Sequence, residues 1–448
     1  MVSFTSTSSA HLLTSCPVFG SPRAPGIPIE EATISQLDIN FALNWTARNI
    51  EQFGGDPNKG MSSSTLRSGM ADINIVTIMG ESAGALAVGN LVNTVPNNPP
   101  FRAAIEMSGS SVVNPIDFSG SDPDAAWPAL VELLNCTNTS DEAVLTCMRA
   151  LPADTIQTAM NENQLMFTPQ PPNNITILEA PDEVWAEGNV ARVPLLIGYT
   201  GDDGGVFVRE PAALATATNL SFADALTALN LPKSVTDILT TAYSPGSPFA
   251  PDVNTTQDAF FKFATDITFG CTSGFVANIT SRLLDVPVWE YVFDAVVPSN
   301  TFADYPELGA WHAGELALLF GNYQRPNATE LDTQVSQRFQ KHFADFIKDP
   351  ERGPGWEQWP QIGIIGVADG QAVTTTENVQ QYNPVCQQYE NLWLATEVPA
   401  LAQAQPQPPQ EGNGGQQEEE AVPSMASACS ISGLSTLVVA VLFAVALI

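Results

Sequence analysis

The 448-residue chain carries 16 Lys and Arg against 48 Asp and Glu, a formal net charge of −32, with 44% hydrophobic and 14% charged residues. Such a balance excludes nucleic-acid binding, because phosphate contacts need clustered Lys and Arg. The length and apolar content are enough to bury one large core or two smaller ones.

Taken in chain order, the first 17 residues have neither a basic n-region nor a clean apolar h-region, so they do not read as a signal peptide. His11 falls in this polar stretch and reads as a surface residue. The next segment, "SQLDINFALNWTARNIEQF", predicts a helix in which Leu37, Phe41 and Trp45 share one face, with Gly54 placed to end it. A run "GMSSSTLRSGMADIN" (60–74) follows and reads either as translated intron or as a surface loop. Then comes "IVTIMGESAGALAVGN". Ile75, Val76 and Ile78 suit a buried strand, while Ala83, Ala85, Leu86 and Ala87 suit a close-packed helix. Between them Gly80, Glu81, Ser82, Ala83 and Gly84 form a G-x-S-x-G, whose flanking glycines allow the sharp turn that lifts a nucleophilic serine above a sheet edge.

Further along, "FRAAIEMSGS", "VPLLIGYTG" and "VPVWEYVFDA" read as strands alternating with longer helical runs. That alternation predicts an α/β fold with a mostly parallel sheet and helices on both faces. Residues 18–396 form the globular unit. Residues 397–427 are a Pro-, Gln- and Glu-rich linker. Residues 428–448 end in the uncharged run "LSTLVVAVLFAVALI". Small residues before that run match a GPI-attachment signal, with cleavage among Ser424, Ala426 and Ser427; a retained membrane helix is the alternative, although the run is shorter than the ~20 residues a span needs. Either route ends at a membrane. N-x-S/T sequons at Asn135, Asn138, Asn174, Asn219, Asn254, Asn278 and Asn327 favour the secretory pathway and an extracellular surface. Asn44 also heads a sequon but falls within the first helix, facing neighbours.

A serine nucleophile needs a base, and the chain has three histidines. His342, in "RFQKHFADFIKD", reads as a solvated position on an amphipathic helix. His312, in "PELGAWHAGELALLFG", lies in a loop beyond a strand and is the candidate base. Asp202 and Asp203, in "GYTGDDGGVF", lie just past a strand end. An ordinary turn is the plain reading of D-D-G-G, but the order Ser82, Asp203, His312 is the nucleophile–acid–base order of α/β-hydrolases.

These blocks together resemble the type-B carboxylesterase/lipase family, which includes the cholinesterases. "QLDINFALNWTARNIEQFGGDPN", "VTIMGESAGA", "AAIEMSGSS", "GYTGDDGGVF" and "WHAGELALLFG" are similar to its blocks in the same order, with Asp203 where the family has glutamate and Glu315 at a recurrent acid. The resemblance implies an α/β-hydrolase fold lacking the family's first strands. It implies a Ser82–His312–Asp203 triad acting on ester substrates through an acyl-enzyme, with the Ala83 N–H in the oxyanion hole. It also implies disulfides Cys136–Cys147 and Cys271–Cys386. The family's H-G-G-G loop, a source of two further oxyanion donors, has no match here. That departure keeps a second reading open, a catalytically silent cholinesterase-like surface domain with a recognition role. No metal-ligand cluster is visible, and neither metal nor cofactor is expected.

Overall fold

The computed structural model describes residues 2–4, 17–53, 76–112, 124–163, 165, 167, 173–228, 233–302, 305–323, 328–396 and 398–404. Among these residues seven strands make one sheet whose spatial order follows the chain: β1 (Val2–Phe4), β2 (Thr77–Glu81), β3 (Ala103–Met107), β4 (Leu195–Thr200), β5 (Val288–Phe293), β6 (Gln361–Ala368) and β7 (Gln371–Asn378). Strands β1 to β6 run parallel, and β7 returns antiparallel along the edge of β6. Every residue of β2, β3, β4 and β5 is buried. Continuous burial is what a parallel sheet covered on both faces requires, and it explains why these strands read as unbroken apolar runs.

The helices that frame the sheet are α1 (Ile34–Asn49), α2 (Ala83–Thr94), α3 (Gly205–Thr218), α4 (Thr256–Thr265), α5 (Cys271–Leu284), α6 (Leu316–Leu319), α7 (Glu330–Lys348) and α8 (Cys386–Thr396). Alternate strand residues point to opposite layers. Ile78, Ala104, Ile197 and Val288 join the layer that holds Val88 and Leu91 of α2 and Phe275 and Ile279 of α5. Met79, Ile105, Leu196 and Trp289 face the other layer, filled by Leu318 of α6 and by Val335, Phe339, Phe343 and Phe346 of α7. There Phe339 packs against Phe293 in a tilted pair and against Phe343 edge-on, with ring centroids 4.9 and 4.6 Å apart. A smaller core under residues 126–162 gathers Trp127, Leu130, Leu145, Met148, Ile156 and Met160. The Cys136–Cys147 disulfide closes it, and Cys271–Cys386 ties α5 to α8.

The apolar face shared by Phe41 and Trp45 is not the buried one, and the expectations for His342 and Asn44 are corrected. On α1 the buried side is Gln36, Ile39 and Leu43, whereas Phe41 and Trp45 are 72% and 49% exposed. Three apolar residues at helical spacing thus mark a face without fixing what covers it. His342 is not solvated: it is buried on α7, with Nδ1 2.7 Å from the Pro354 carbonyl and Nε2 2.8 Å from Thr374 Oγ1. Only the folding-back of β7 and the 353–356 turn onto α7 supplies those partners. Asn44 lies on α1 as expected but is exposed, its amide donating to the Asn40 carbonyl. His11, Gly54, residues 60–74, Asn327 and the tail holding Ser424, Ala426 and Ser427 lie outside the described residues. Among the described residues no helix is long and apolar enough to cross a membrane.

Candidate active site

Parallel strands bring the carboxyl ends of β2, β4 and β5 to one edge of the sheet, where open α/β folds bind ligands. Ser82 sits between the last residue of β2 and the first of α2 with φ 56° and ψ −120°. A non-glycine residue in this region carries strain of order 1–3 kcal/mol, which the surroundings must offset. Three hydrogen bonds do so: the Ser82 N–H donates to the Met107 carbonyl at 2.9 Å, and the Ser82 carbonyl accepts from Ala85 and Leu86 at 2.9 and 3.1 Å. Gly80 is obligatory, since a Cβ there would lie 2.0 Å from the Gly84 carbonyl oxygen. Ala83 opens α2 and is exposed, so its N–H belongs to the first turn, where helix donors have no partner within the helix.

Asp203 lies just past β4 and is fully buried. Its Oδ2 accepts from the Thr200 N–H at 2.9 Å, and its Oδ1 stands 2.5 Å from His312 Nδ1. A carboxylate only accepts, so the imidazole holds a proton on Nδ1. That leaves Nε2 as the working nitrogen; it lies 3.3 Å from Oε1 of the fully buried Glu81. Phe207 and Phe269 flank the ring, each 5.1 Å away between centroids. Phe269 is delivered by a π-helical turn, Asp266–Gly270, that interrupts the passage from α4 to α5. Such bulges re-aim side chains at functional sites. The turn is held by a buried network in which Asp266 receives Lys262 at 2.6 Å, Asn383 at 2.8 Å and the Tyr243 hydroxyl at 3.1 Å.

Three carboxyl groups surround one imidazole. Burial by itself lowers the pKa of His312, but the charge and hydrogen bond of Asp203, then Glu81 and Glu315, outweigh it and raise the ring to about 9. Glu315, completely buried, is pushed well above the carboxylate range by burial and by its proximity to Glu81 and Asp203. Among the described residues no group of three or more His, Cys, Asp and Glu is arranged to hold a metal ion.

Ser82, Ala83, Glu81, Asp203, His312 and Glu315 thus converge at one sheet edge from segments more than a hundred residues apart. Phe207 and Phe269 carry no sequence mark that sets them apart as neighbours of His312. The sequon residues Asn135, Asn138, Asn174, Asn219 and Asn254 are all exposed. Asn278 differs: it lies on α5, and its side-chain amide donates to Glu390 at 2.6 Å.

The model of the Carboxylesterase family matches residues 34–393. The chain is 29% identical over 369 residues to "Secreted lipase 1" of Botryotinia fuckeliana (strain B05.10), covering 76% of this chain and 58% of that protein. It is 27% identical to "Lipase 1" of Geotrichum candidum, covering 72% of this chain and 56% of that protein. With "Chlorogenic acid esterase" of Aspergillus niger it shares 26% identity, over 75% of this chain and 54% of that protein. The chain spans a little over half the length of these curated relatives. With the family model covering most of its length, the chain belongs to the carboxylesterase family.

Proposed function

We propose that this chain is a serine carboxylic-ester hydrolase. The observation that carries the reading is the strained backbone of Ser82, presented at the same sheet edge as the buried Asp203–His312 pair. In the proposed cycle His312 Nε2 takes the Ser82 hydroxyl proton while the serine oxygen attacks the ester carbonyl carbon. The carbonyl oxygen becomes the oxyanion, and the Ala83 N–H is one donor to it. Asp203 holds the tautomer and stabilises the imidazolium. His312 then returns the proton to the leaving alcohol as the carbon–oxygen bond breaks. Water, deprotonated by the same nitrogen, hydrolyses the acyl-enzyme and restores Ser82. The names of the relatives, lipases and an esterase, support an ester substrate.

A fluorophosphonate probe tests the reading directly. It is expected to label Ser82 in the folded protein, and labelling is expected to vanish in Ser82→Ala and His312→Ala. Absence of labelling in protein shown to be folded would remove the proposal. One observation favours the second reading, a silent surface domain: His312 Nε2 has Glu81 at 3.3 Å, so the base must leave that carboxylate to serve the serine.

We infer also that the protein works outside the cell. Five exposed sequon residues and two disulfides support that location. Membrane attachment through the C-terminal run is the companion proposal. Release from membranes by a GPI-cleaving phospholipase supports attachment through Ser424, Ala426 or Ser427, and resistance favours a retained helix.

A further inference from the structure

We propose that Asp202 is a positioning residue for the active site: its carboxylate ties the loop that delivers His312 to the loop that carries Asp203. Adjacent in sequence, the two aspartates point to different partners. Asp203 reaches His312 and the Thr200 N–H, whereas Asp202 Oδ2 accepts the Gly309 N–H at 2.8 Å, three residues before the base. The main chain runs alongside. The Asp202 N–H donates to the Ala310 carbonyl at 2.9 Å, and Asp202 and Trp311 form an isolated parallel bridge outside the sheet. The indole N–H of Trp311 in turn donates to the Asn300 carbonyl, fixing the far side of the same loop. A short β-like seam therefore joins acid loop and base loop, with one side-chain bond at its entrance.

The site is shaped for that carboxylate. A Cβ on Gly309 would lie 2.3 Å from Asp202 Oδ2, so only glycine lets the loop close over it. On the opposite flank, a Cβ on Gly201 would lie 2.3 Å from Asp294 Oδ1. Asp202 thus lies against Gly309, and Lys262, Asp258 and Asp203 act on its charge. Burial raises its pKa while the Gly309 N–H opposes the rise. A carboxyl group is a costly occupant of such a place unless the bond it makes is needed. The bond acts on catalysis through geometry: a displacement near 1 Å in a catalytic constellation costs about a hundredfold in rate.

The kinetic part of this inference rests on the proposed triad, so the test includes a reading that does not. The first measurement is the strongly deshielded Nδ1 proton of His312 in a one-dimensional proton spectrum of the full protein, which reports the bond to Asp203 without any turnover. The second is kcat and KM on a short p-nitrophenyl ester. Asp202→Ala is expected to lower kcat by about ten- to a hundredfold with KM within about twofold, and to lose or shift the deshielded proton. Asp202→Asn, which keeps an acceptor oxygen, is expected to retain the signal and most of kcat. Gly309→Ala cuts the same bond from the other side and is expected to resemble Asp202→Ala, and the double variant is expected to be no worse than either alone. The inference is overturned if Asp202→Ala keeps both signal and kcat, if the loss falls on KM alone, if Asn fails as Ala does, or if the two losses multiply. Should Asp202→Ala not fold, Asp202→Asn and Gly309→Ala carry the same comparison. A wild type with the deshielded proton but no ester hydrolysis refutes the hydrolase reading and leaves the tie to be judged by the signal.

Discussion

Replacing Glu81 by Gln keeps the shape of the elbow and removes one charge beside His312. The Glu81 carboxylate is 3.3 Å from Nε2 and fully buried, so water screens it little. At an effective dielectric of about 20, point charges that far apart attract by roughly 5 kcal/mol, an upper bound for an imidazolium whose charge is spread over two nitrogens. Opposite charges at such range move a titration by about 1–3 pH units. His312 stands at about 9, and it must be neutral to take the serine proton. Activity is therefore expected to rise with pH through a limb centred near 9, and the Gln variant is expected to move that limb down by about 1–3 pH units. The rate of fluorophosphonate labelling against pH measures this without turnover, and at pH 7 it is expected to rise by about tenfold for a shift of one pH unit, levelling off below about a hundredfold as the limb falls past pH 7. A limb that stays in place or moves up, with Ser82 still labelled, would refute the account of what sets the base.

The remaining predictions concern stability and the elbow. Gly80→Ala places a Cβ against backbone atoms of Gly84, which cannot rotate away, so labelling of Ser82 is expected to slow by about a hundredfold or more. Removing the Cys271–Cys386 bridge, whose partners are 115 residues apart, is expected to cost roughly 4–5 kcal/mol in denaturant unfolding, against about 3 for Cys136–Cys147 with its separation of 11. Glu106 is 2% exposed and raised to about 8 by burial, with a bond from Ser110 opposing. The unfolded chain ionises this group from about pH 4.5 upward and the native state does not, so its penalty grows with pH and reaches roughly 3 kcal/mol at pH 7. Glu106→Gln is expected to recover about that much at pH 7 and almost nothing at pH 4, and equal gains at both would contradict the burial argument. His342→Ala removes one buried and one part-buried hydrogen bond, to Pro354 and Thr374; the free energy of unfolding is expected to fall by about 1–3 kcal/mol, with kcat unchanged.

The sequence by itself determined the elements that local physics controls. β-Branched and apolar runs at β2, β4 and β5 had no other place than a buried parallel sheet, and the glycines around Ser82 left the elbow little choice of backbone. The chain order of Ser82, Asp203 and His312, with the family blocks around them, was enough to name the candidate site before any coordinate. Periodicity was weaker evidence. It found the α1 helix but assigned Phe41 and Trp45 to a common face without deciding its burial, because burial depends on what packs there. His342 was misread for the same reason: a helical position looks solvated until a distant turn and strand fold over it. The β6–β7 hairpin and the π-helical turn that brings Phe269 to His312 left no clear local mark. Only the tertiary structure decided the electrostatics. Glu81 and Glu315 affect His312 because the fold removes water from around them and brings their charges close, and neither distance nor dielectric is written in the order of residues.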